Sequence, residues 1–327
     1  MSKAQAPLVL TLGDPDGIGP EIALKAWAQL RESGTVFSVA GGLGVLSPVA
    51  RALGLPAPQP IESSTQASGM FARALPVLPD RAGLPALASI EDAVARVRSG
   101  EASGLVTNPV SKSALYAEGF AFPGHTEFLA HLTADMDLDG ERGPVMMLAV
   151  PALKTVLVTI HQALRDAISS LSAERVIHTA RVAHQALQRD FALPAPRLAL
   201  AGLNPHAGEG GSMGREEIDI LLPAIEQLKR EGIALAGPLP PDTMFHAEAR
   251  GHYDAAICLY HDQGLIPVKT LDFHGGVNVT LGLPIVRTSP DHGTAKDIAG
   301  KGVARPDSLI AAIRLAETIA ANRSARA

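Results

Sequence analysis

The chain has 327 residues, 46% of them hydrophobic and 19% charged, with a formal net charge of −5 and a single cysteine. That length suits two domains of about 150 residues each, with enough apolar content for a core in both. The scattered Lys and Arg form no basic stripe for nucleic acid, no apolar run approaches the roughly 20 residues that span a bilayer, and one cysteine cannot close an internal disulfide.

The opening "MSKAQAPLVLTLGD" carries one lysine and an apolar run too short for the core of a signal peptide, so a cytoplasmic location is the default. Its "PLVLTL" (7–12) reads as the first strand. "GPEIALKAWAQLRES" (19–33) follows as a helix, with apolar residues at three- and four-residue spacing and Pro20 in the first turn. Further strands are expected at 36–41, 103–108, 145–150, 155–160, 197–203 and 255–260, and helices at 173–190 and 215–232. The Pro- and Ala-rich stretch 54–86 has the weakest periodicity and reads as irregular surface structure. Several strands are apolar on both faces, and their alternation with helices predicts an α/β architecture around mainly parallel sheets. Cys258, inside the strand at 255–260, reads as a small buried hydrophobe rather than a nucleophile.

Three of these strands run into a histidine. "LKTVLVTIH" ends at His161, "LALAGLNPH" at His206 and "DAAICLYH" at His261. Ligands of open parallel sheets bind beyond the carboxyl ends of the strands, which places all three imidazoles where a site would form. Three neutral imidazoles with an open coordination position suit a divalent metal, zinc being the borderline-soft match and other divalent ions, such as magnesium or cobalt, alternatives. Asp262 beside His261 offers a carboxylate ligand or an acceptor for the ring N–H. His178 and His184 fall within a helix, and His131, His246 and His252 in polar company, so these read as structural or solvated. His125 stands in "FPGHTEF", where a helix begins after a Pro-Gly turn; its imidazole and the Thr126 hydroxyl lie near free backbone N–H groups, with Thr126 as an N-cap the alternative. Lys269, Asn278 and Arg287 recur at a spacing of nine and suit an anionic substrate, unless they are ordinary strand-end residues.

The 31 glycines form no standard nucleotide loop. "GDPDGIGPE" has no third glycine at the dinucleotide-fingerprint offset, "GEGGSMGR" has Met213 there, and neither supplies a phosphate-binding lysine followed by Ser or Thr. Asp14 and Asp16 would repel a pyrophosphate.

The stretches "GDPDGIGPEI", "TNPVSKSALY", "FPGHTEF", "LNPHAGEGGSMGREE", "GPLPPDTMF", "YHDQGLIPVK" and "GGVNVTLGLPIVRTSPDHGTAKDIAGKG" together resemble the 4-hydroxythreonine-4-phosphate dehydrogenase family of vitamin B6 biosynthesis over nearly the whole chain. That family is similar in turn to the isocitrate and isopropylmalate dehydrogenases. The resemblance implies two α/β/α domains with the active site in the cleft between them. The halves are drawn at 1–125 with 265–327, the dinucleotide side, and 126–264, the metal and dimer side. It also implies a homodimer with its active site at the interface, and His161 opens the loop "HQALRDAISS", which is placed to reach a partner. The implied metal ligands are His161, His206 and His261, one divalent ion per site, and the implied substrate contacts His125, Thr126, Lys269, Asn278 and Arg287. NAD or NADP would lie on a non-standard loop around His292, Gly293 and Asp297. The implied reaction is oxidation of the C3 hydroxyl of 4-phosphooxy-L-threonine, then loss of CO2 to leave 3-amino-2-oxopropyl phosphate, with Asp242 or Asp262 tuning the metal water or relaying a proton. Two alternatives stand beside it: a sister dehydrogenase acting on 4-phospho-threonate or 4-phospho-erythronate, and a non-catalytic metal- or phosphate-binding protein.

Overall fold

The computed structural model describes residues 5–80, 86–111, 115, 119–122 and 124–326. The chain divides into two compact units, 1–136 with 284–325 and 137–283. In the first lie β1 (Leu8–Thr11), α1 (Gly19–Leu30), β2 (Phe37–Ala40), α2 (Leu43–Ala52), β3 (Gln59–Pro60), β4 (Pro76–Val77), α3 (Ala86–Arg98), β5 (Leu105–Val106) and α4 (His125–Leu132). The second holds β6 (Val145–Val150), β7 (Leu153–Leu157), α5 (Leu164–Ser169), α6 (Ala173–Asp190), β8 (Leu198–Ala201), α7 (Leu222–Arg230) and β9 (Leu235–Leu239). It continues through α8 (Pro241–Met244), α9 (Ala247–Arg250), β10 (Ala255–Cys258), α10 (His261–Leu271) and β11 (Val277–Leu281). The chain then returns to the first unit as β12 (Arg287–Pro290) and α11 (Asp307–Ser324).

The strands of the first unit run in the order β3-β4-β2-β1-β5-β12 and pair in parallel throughout. Those of the second run β11-β6-β7-β10-β8-β9, parallel from β7 to β9 and antiparallel at the β11–β6 and β6–β7 pairs. The α/β expectation holds in both units. Continuous burial along β1, β2, β6, β8 and β10 explains why these segments read as unbroken apolar runs: strands covered on both faces have no polar side to alternate with. The boundary falls at 136/137 and 283/284 because α4 packs on α3 and β11 pairs with β6, so residues 126–136 stay with the first unit and 265–283 with the second.

The stretch 54–86 corrects the reading of irregular surface structure. It supplies β3 and β4, and Leu75, Val77 and Leu78 are buried. Two-residue strands are too short to show a period. Residues 81–85 of that stretch lie outside the described residues. The helix expected at 215–232 is a π-helical turn, Glu217–Leu221, running into α7.

Directly after β10 the chain enters α10, with Tyr260 as N-cap and His261 as the first helical residue. Pro267 sits inside this helix and Gly264 lies so close to the sheet that an added Cβ would come within 2.5 Å of Leu157 Cδ2. Leu157, Cys258, Leu265 and Val268 share one core cluster with residues of β6 and β8. Cys258 is fully buried, which pushes its thiol pKa up and leaves it the buried hydrophobe expected. Among the described residues, no helix is long and apolar enough to cross a membrane.

Candidate functional site

In the second unit β7, β10 and β8 are immediate neighbours and parallel, so their carboxyl ends face the same way. His161 follows β7, His261 follows β10 and His206 follows β8. Neighbouring strands lie about 4.8 Å apart, so three imidazoles leave one end of the sheet side by side.

The rings of His161 and His261 have centroids 5.7 Å apart. With a metal–nitrogen bond of about 2.0–2.1 Å, a ring centre sits about 3.2 Å from its ion, so two rings on one ion stand at most about 6.4 Å apart. This pair fits within that limit. Among the described residues, however, no three His, Cys, Asp or Glu side chains are gathered closely enough to hold an ion as a set. The structure brings His161 and His261 together and carries His206 on a separate turn of the neighbouring strand.

Buried polar side chains tie the three strand ends. Thr159 Oγ1 donates to the carbonyl of Leu259 at 2.7 Å, the Leu259 N–H donates to Gln263 Oε1 at 2.6 Å, and Gln263 Nε2 donates to the carbonyl of Gly202 at 2.7 Å. A line of hydrogen bonds thus runs from the end of β7 through β10 to β8. His261 Nδ1 lies 2.7 Å from Asp262 Oδ1. With the proton on Nδ1, shared with this carboxylate, Nε2 keeps its lone pair for a metal.

The turn bearing His206 is left-handed at five consecutive residues: His206 (φ 53°), Ala207 (φ 51°), Gly208 (φ 79°), Glu209 (φ 41°) and Gly210 (φ 66°). Glu217, 3% exposed, reaches into it. Its Oε1 accepts from the N–H groups of Leu203 at 2.8 Å and Asn204 at 2.7 Å, and its Oε2 from Asn204 Nδ2 at 2.9 Å. Burial pushes the Glu217 pKa up, but the donors of Asn204 and Leu203 outweigh it and hold the carboxyl below the usual glutamate range. Sequence reasoning missed both Glu217 and Gln263: each follows polar neighbours, Arg215 and Glu216 in the one case and His261 and Asp262 in the other, so neither stands out locally.

Lys269 lies on α10 with Nζ 5.4 Å from the centre of the Phe273 ring. An open groove of about 400 Å³ follows this helix, lined by His261, Asp262, Ile266, Lys269 and Phe273 among others. Asn278 is on β11, in register with Leu148 of β6. Its Oδ1 is buried and, among the described residues, accepts no hydrogen bond. Asp242 is exposed in the first turn of α8.

In the first unit His125 opens α4, with Gly124 rather than Thr126 at the N-cap; Thr126 is the second helical residue, half-buried. Pro123, half of the Pro-Gly turn expected before it, lies outside the described residues. Arg287, 4% exposed on β12, donates to Thr107 Oγ1 from Nε at 3.2 Å and from Nη2 at 2.7 Å. Burial pulls its pKa down to about 10, which leaves it charged at neutral pH. His292 Nδ1 lies 3.1 Å from the carbonyl of Gly293, and its buried Nε2 has no hydrogen-bond partner among the described residues. Gly293 and Asp297 are exposed. This segment packs on the "GDPDGIGPE" turn: the Ile18 N–H donates to the Thr294 carbonyl at 2.9 Å, and Lys296 Nζ pairs with Asp14 Oδ2 at 2.8 Å.

The family model described as pyridoxal phosphate biosynthetic protein PdxA matches residues 61–316. The chain is 53% identical over 330 residues to a 4-hydroxythreonine-4-phosphate dehydrogenase of Caulobacter vibrioides, an alignment covering 97% of this chain and 98% of that protein. Identity to the protein of the same name from Maricaulis maris is 55% over 336 residues, covering 98% of this chain and 99% of that one. The crystal structure of 4-hydroxythreonine-4-phosphate dehydrogenase from Klebsiella pneumoniae superposes with a TM-score of 0.84 at 38% identity, covering 98% of this chain and 99% of that chain.

Proposed function

The chain belongs to the PdxA family of pyridoxal phosphate biosynthetic proteins, and on that premise we propose that it is an NAD- or NADP-dependent, divalent-metal-dependent dehydrogenase. Its substrate in this reading is 4-phosphooxy-L-threonine, the 4-hydroxythreonine 4-phosphate of its relatives' name, and its product 3-amino-2-oxopropyl phosphate. The observation that carries the reading is the arrival of His161, His206 and His261 at one end of three neighbouring parallel strands.

The donor types suit a divalent ion: the His161 and His261 rings are spaced for a common ion, the Asp262 carboxylate beside His261 Nδ1 leaves Nε2 for it, and His206, on the turn after the neighbouring strand, would complete the set. His161, His206 and His261 would hold the ion, zinc, magnesium or cobalt, which would supply Lewis acidity to a substrate oxygen, and NAD or NADP would supply the hydride acceptor. The chain's own residues bind and orient. Arg287 and Lys269 hold the phosphate and carboxylate by charge, His125 and Thr126 add hydrogen bonds, and the buried Oδ1 of Asn278 accepts from an ammonium or hydroxyl of the substrate. Asp242 or Asp262 takes the proton released as the C3 hydroxyl becomes a ketone. The bond between C2 and the carboxylate then breaks, CO2 leaves, and its electron pair passes toward the ketone before C2 is protonated. His292, Gly293 and Asp297 contact the dinucleotide, with His292 Nε2 a buried ring nitrogen available to it.

A homodimer with the active site at its interface, and a cytoplasmic location, belong to the same reading. Leu164 and Ile168 of α5, Ile266 of α10 and Phe273 just beyond it are large exposed apolar side chains of the histidine-bearing unit, and Ile266 and Phe273 line one groove, as surface meant for a partner would.

The test is reduction of NAD or NADP with 4-phosphooxy-L-threonine, compared with 4-phospho-threonate and 4-phospho-erythronate, before and after chelation. Turnover of the amino-acid phosphate, lost on chelation and restored by a divalent ion, is expected. Turnover of the sugar-acid phosphates alone would move the assignment to the sister dehydrogenase. Metal uptake without any turnover would leave the non-catalytic reading, and full activity after exhaustive chelation would remove the metal.

A further inference from the structure

The turn that carries His206 is strained backbone, closed locally by the Ala207 N–H on the Asn204 carbonyl at 3.1 Å and the Met213 N–H on the Gly208 carbonyl at 3.3 Å. Left-handed backbone is strained for any residue that carries a Cβ, and His206, Ala207 and Glu209 all adopt it within four residues. Such a run persists only where its surroundings over-determine it. Here one carboxylate meets it at its base and at its middle. Glu217 takes the N–H groups of Leu203 and Asn204 and the amide of Asn204, at 2.7 to 2.9 Å, where the chain leaves β8. In the middle of the turn, a Cβ added at Gly208 (φ +79°) would stand 2.6 Å from Glu217 Oε2, so backbone and carboxylate are already in contact there. Glu217 is itself presented by a π-helical turn, an irregularity frequent at functional sites. From the other side Gln263 holds the carbonyl of Gly202 and the N–H of Leu259, so the base of the His206 turn is registered against the strand end that leads to His261.

We propose that Glu217 is a positioning residue: its buried carboxylate sets the left-handed turn bearing His206 and thereby how tightly the three histidines take up a divalent cation. The inference rests on the metal-dependent function proposed above. Glu217 is bonded to the backbone that aims His206, not to the imidazole, so its loss misdirects a ligand without removing one. Groups that orient metal ligands from behind typically change affinity by about 10–100-fold.

The experiment titrates chelator-stripped protein with Co2+ alone and follows the visible absorption of the bound ion. Glu217→Gln should raise the Co2+ Kd by about 10–100-fold, and His206→Ala by at least as much. In the His206→Ala background, adding Glu217→Gln should change the Kd no further, because the carboxylate acts through that histidine. Wild-type affinity in a folded Glu217→Gln protein overturns the inference. So does an equal loss from Glu217→Gln with and without His206, which is the behaviour of a carboxylate that merely stabilises the unit. If Glu217→Gln does not fold, Gly208→Ala carries the test, since its methyl displaces the turn from the opposite side: weaker Co2+ binding supports the proposal and wild-type binding overturns it. Absence of Co2+ uptake by the wild-type protein would remove the metal-dependent reading itself, and the inference with it.

Discussion

In the proposed function the burial of Arg287 is what would make it a recognition element for an anion. Its guanidinium is almost wholly removed from water, bonded to the hydroxyl of Thr107, and still charged because burial lowers its pKa only to about 10. A cation desolvated in advance binds an anion more strongly than one that must shed water on contact. Arg287→Met keeps the stem and removes the charge. The KM for the phosphorylated substrate should rise by one to two orders of magnitude, roughly 1.5–3 kcal/mol, while the KM for NAD or NADP changes little. Steady-state kinetics with each substrate varied in turn checks this, and unchanged kinetics would make Arg287 a structural strand-end residue.

At the scale of elements, α10 decides where two of the candidate groups point. It starts at His261 and carries Lys269 two turns later, so any movement of the helix moves both. Its position is set by Gly264, where an added methyl would crowd Leu157 Cδ2 at 2.5 Å and Cys258 Cβ and Thr155 Oγ1 at 3.3 Å. Gly264→Ala therefore has to lift the helix or repack the core beneath it. Overpacking of this kind costs about 1–3 kcal/mol, read as a lower urea midpoint at unchanged slope. kcat/KM should fall with it, because Lys269 and His261 ride on the displaced helix. A variant with wild-type stability and kinetics would show that Leu157 yields freely and that the helix is not held by this contact.

At the scale of the whole molecule, the proposed homodimer would have to cover exposed apolar surface. Ile266 is 63% exposed and Phe273 69% exposed, both beside the groove along α10. Burying such a surface against a second copy removes apolar area from water, and a stable dimer needs about 800 Å² from each partner. Ile266→Asp combined with Phe273→Asp places two charges on that surface. Sedimentation equilibrium should show monomers where the wild-type protein shows dimers, with circular dichroism unchanged. A double variant that dimerises as tightly as wild type would put the interface on another face.

The sequence by itself determined the α/β class, the long strands and the three histidines, because each is recorded locally: 145–150 and 255–258 are unbroken apolar runs, and the histidines follow the apolar segments of β7, β8 and β10 within a few residues. Helices with clean periodicity, such as 173–190, were legible for the same reason. The helix at 261–271 was not, since Gly264 and Pro267 interrupt its pattern and the helix exists by packing against β7 and β10. Nor were β3 and β4, whose two residues each leave no period to read. Only the tertiary structure decided that β10 lies between β7 and β8, so that His261 stands between the strand ends leading to His161 and His206. It alone found the bonds that aim them: Gln263 meets Gly202 across 61 positions of chain and Glu217 meets Asn204 across 13. A local pattern registers how one segment divides between water and core. Strand order and the partners of a buried carboxylate are settled by packing between segments that the sequence keeps apart.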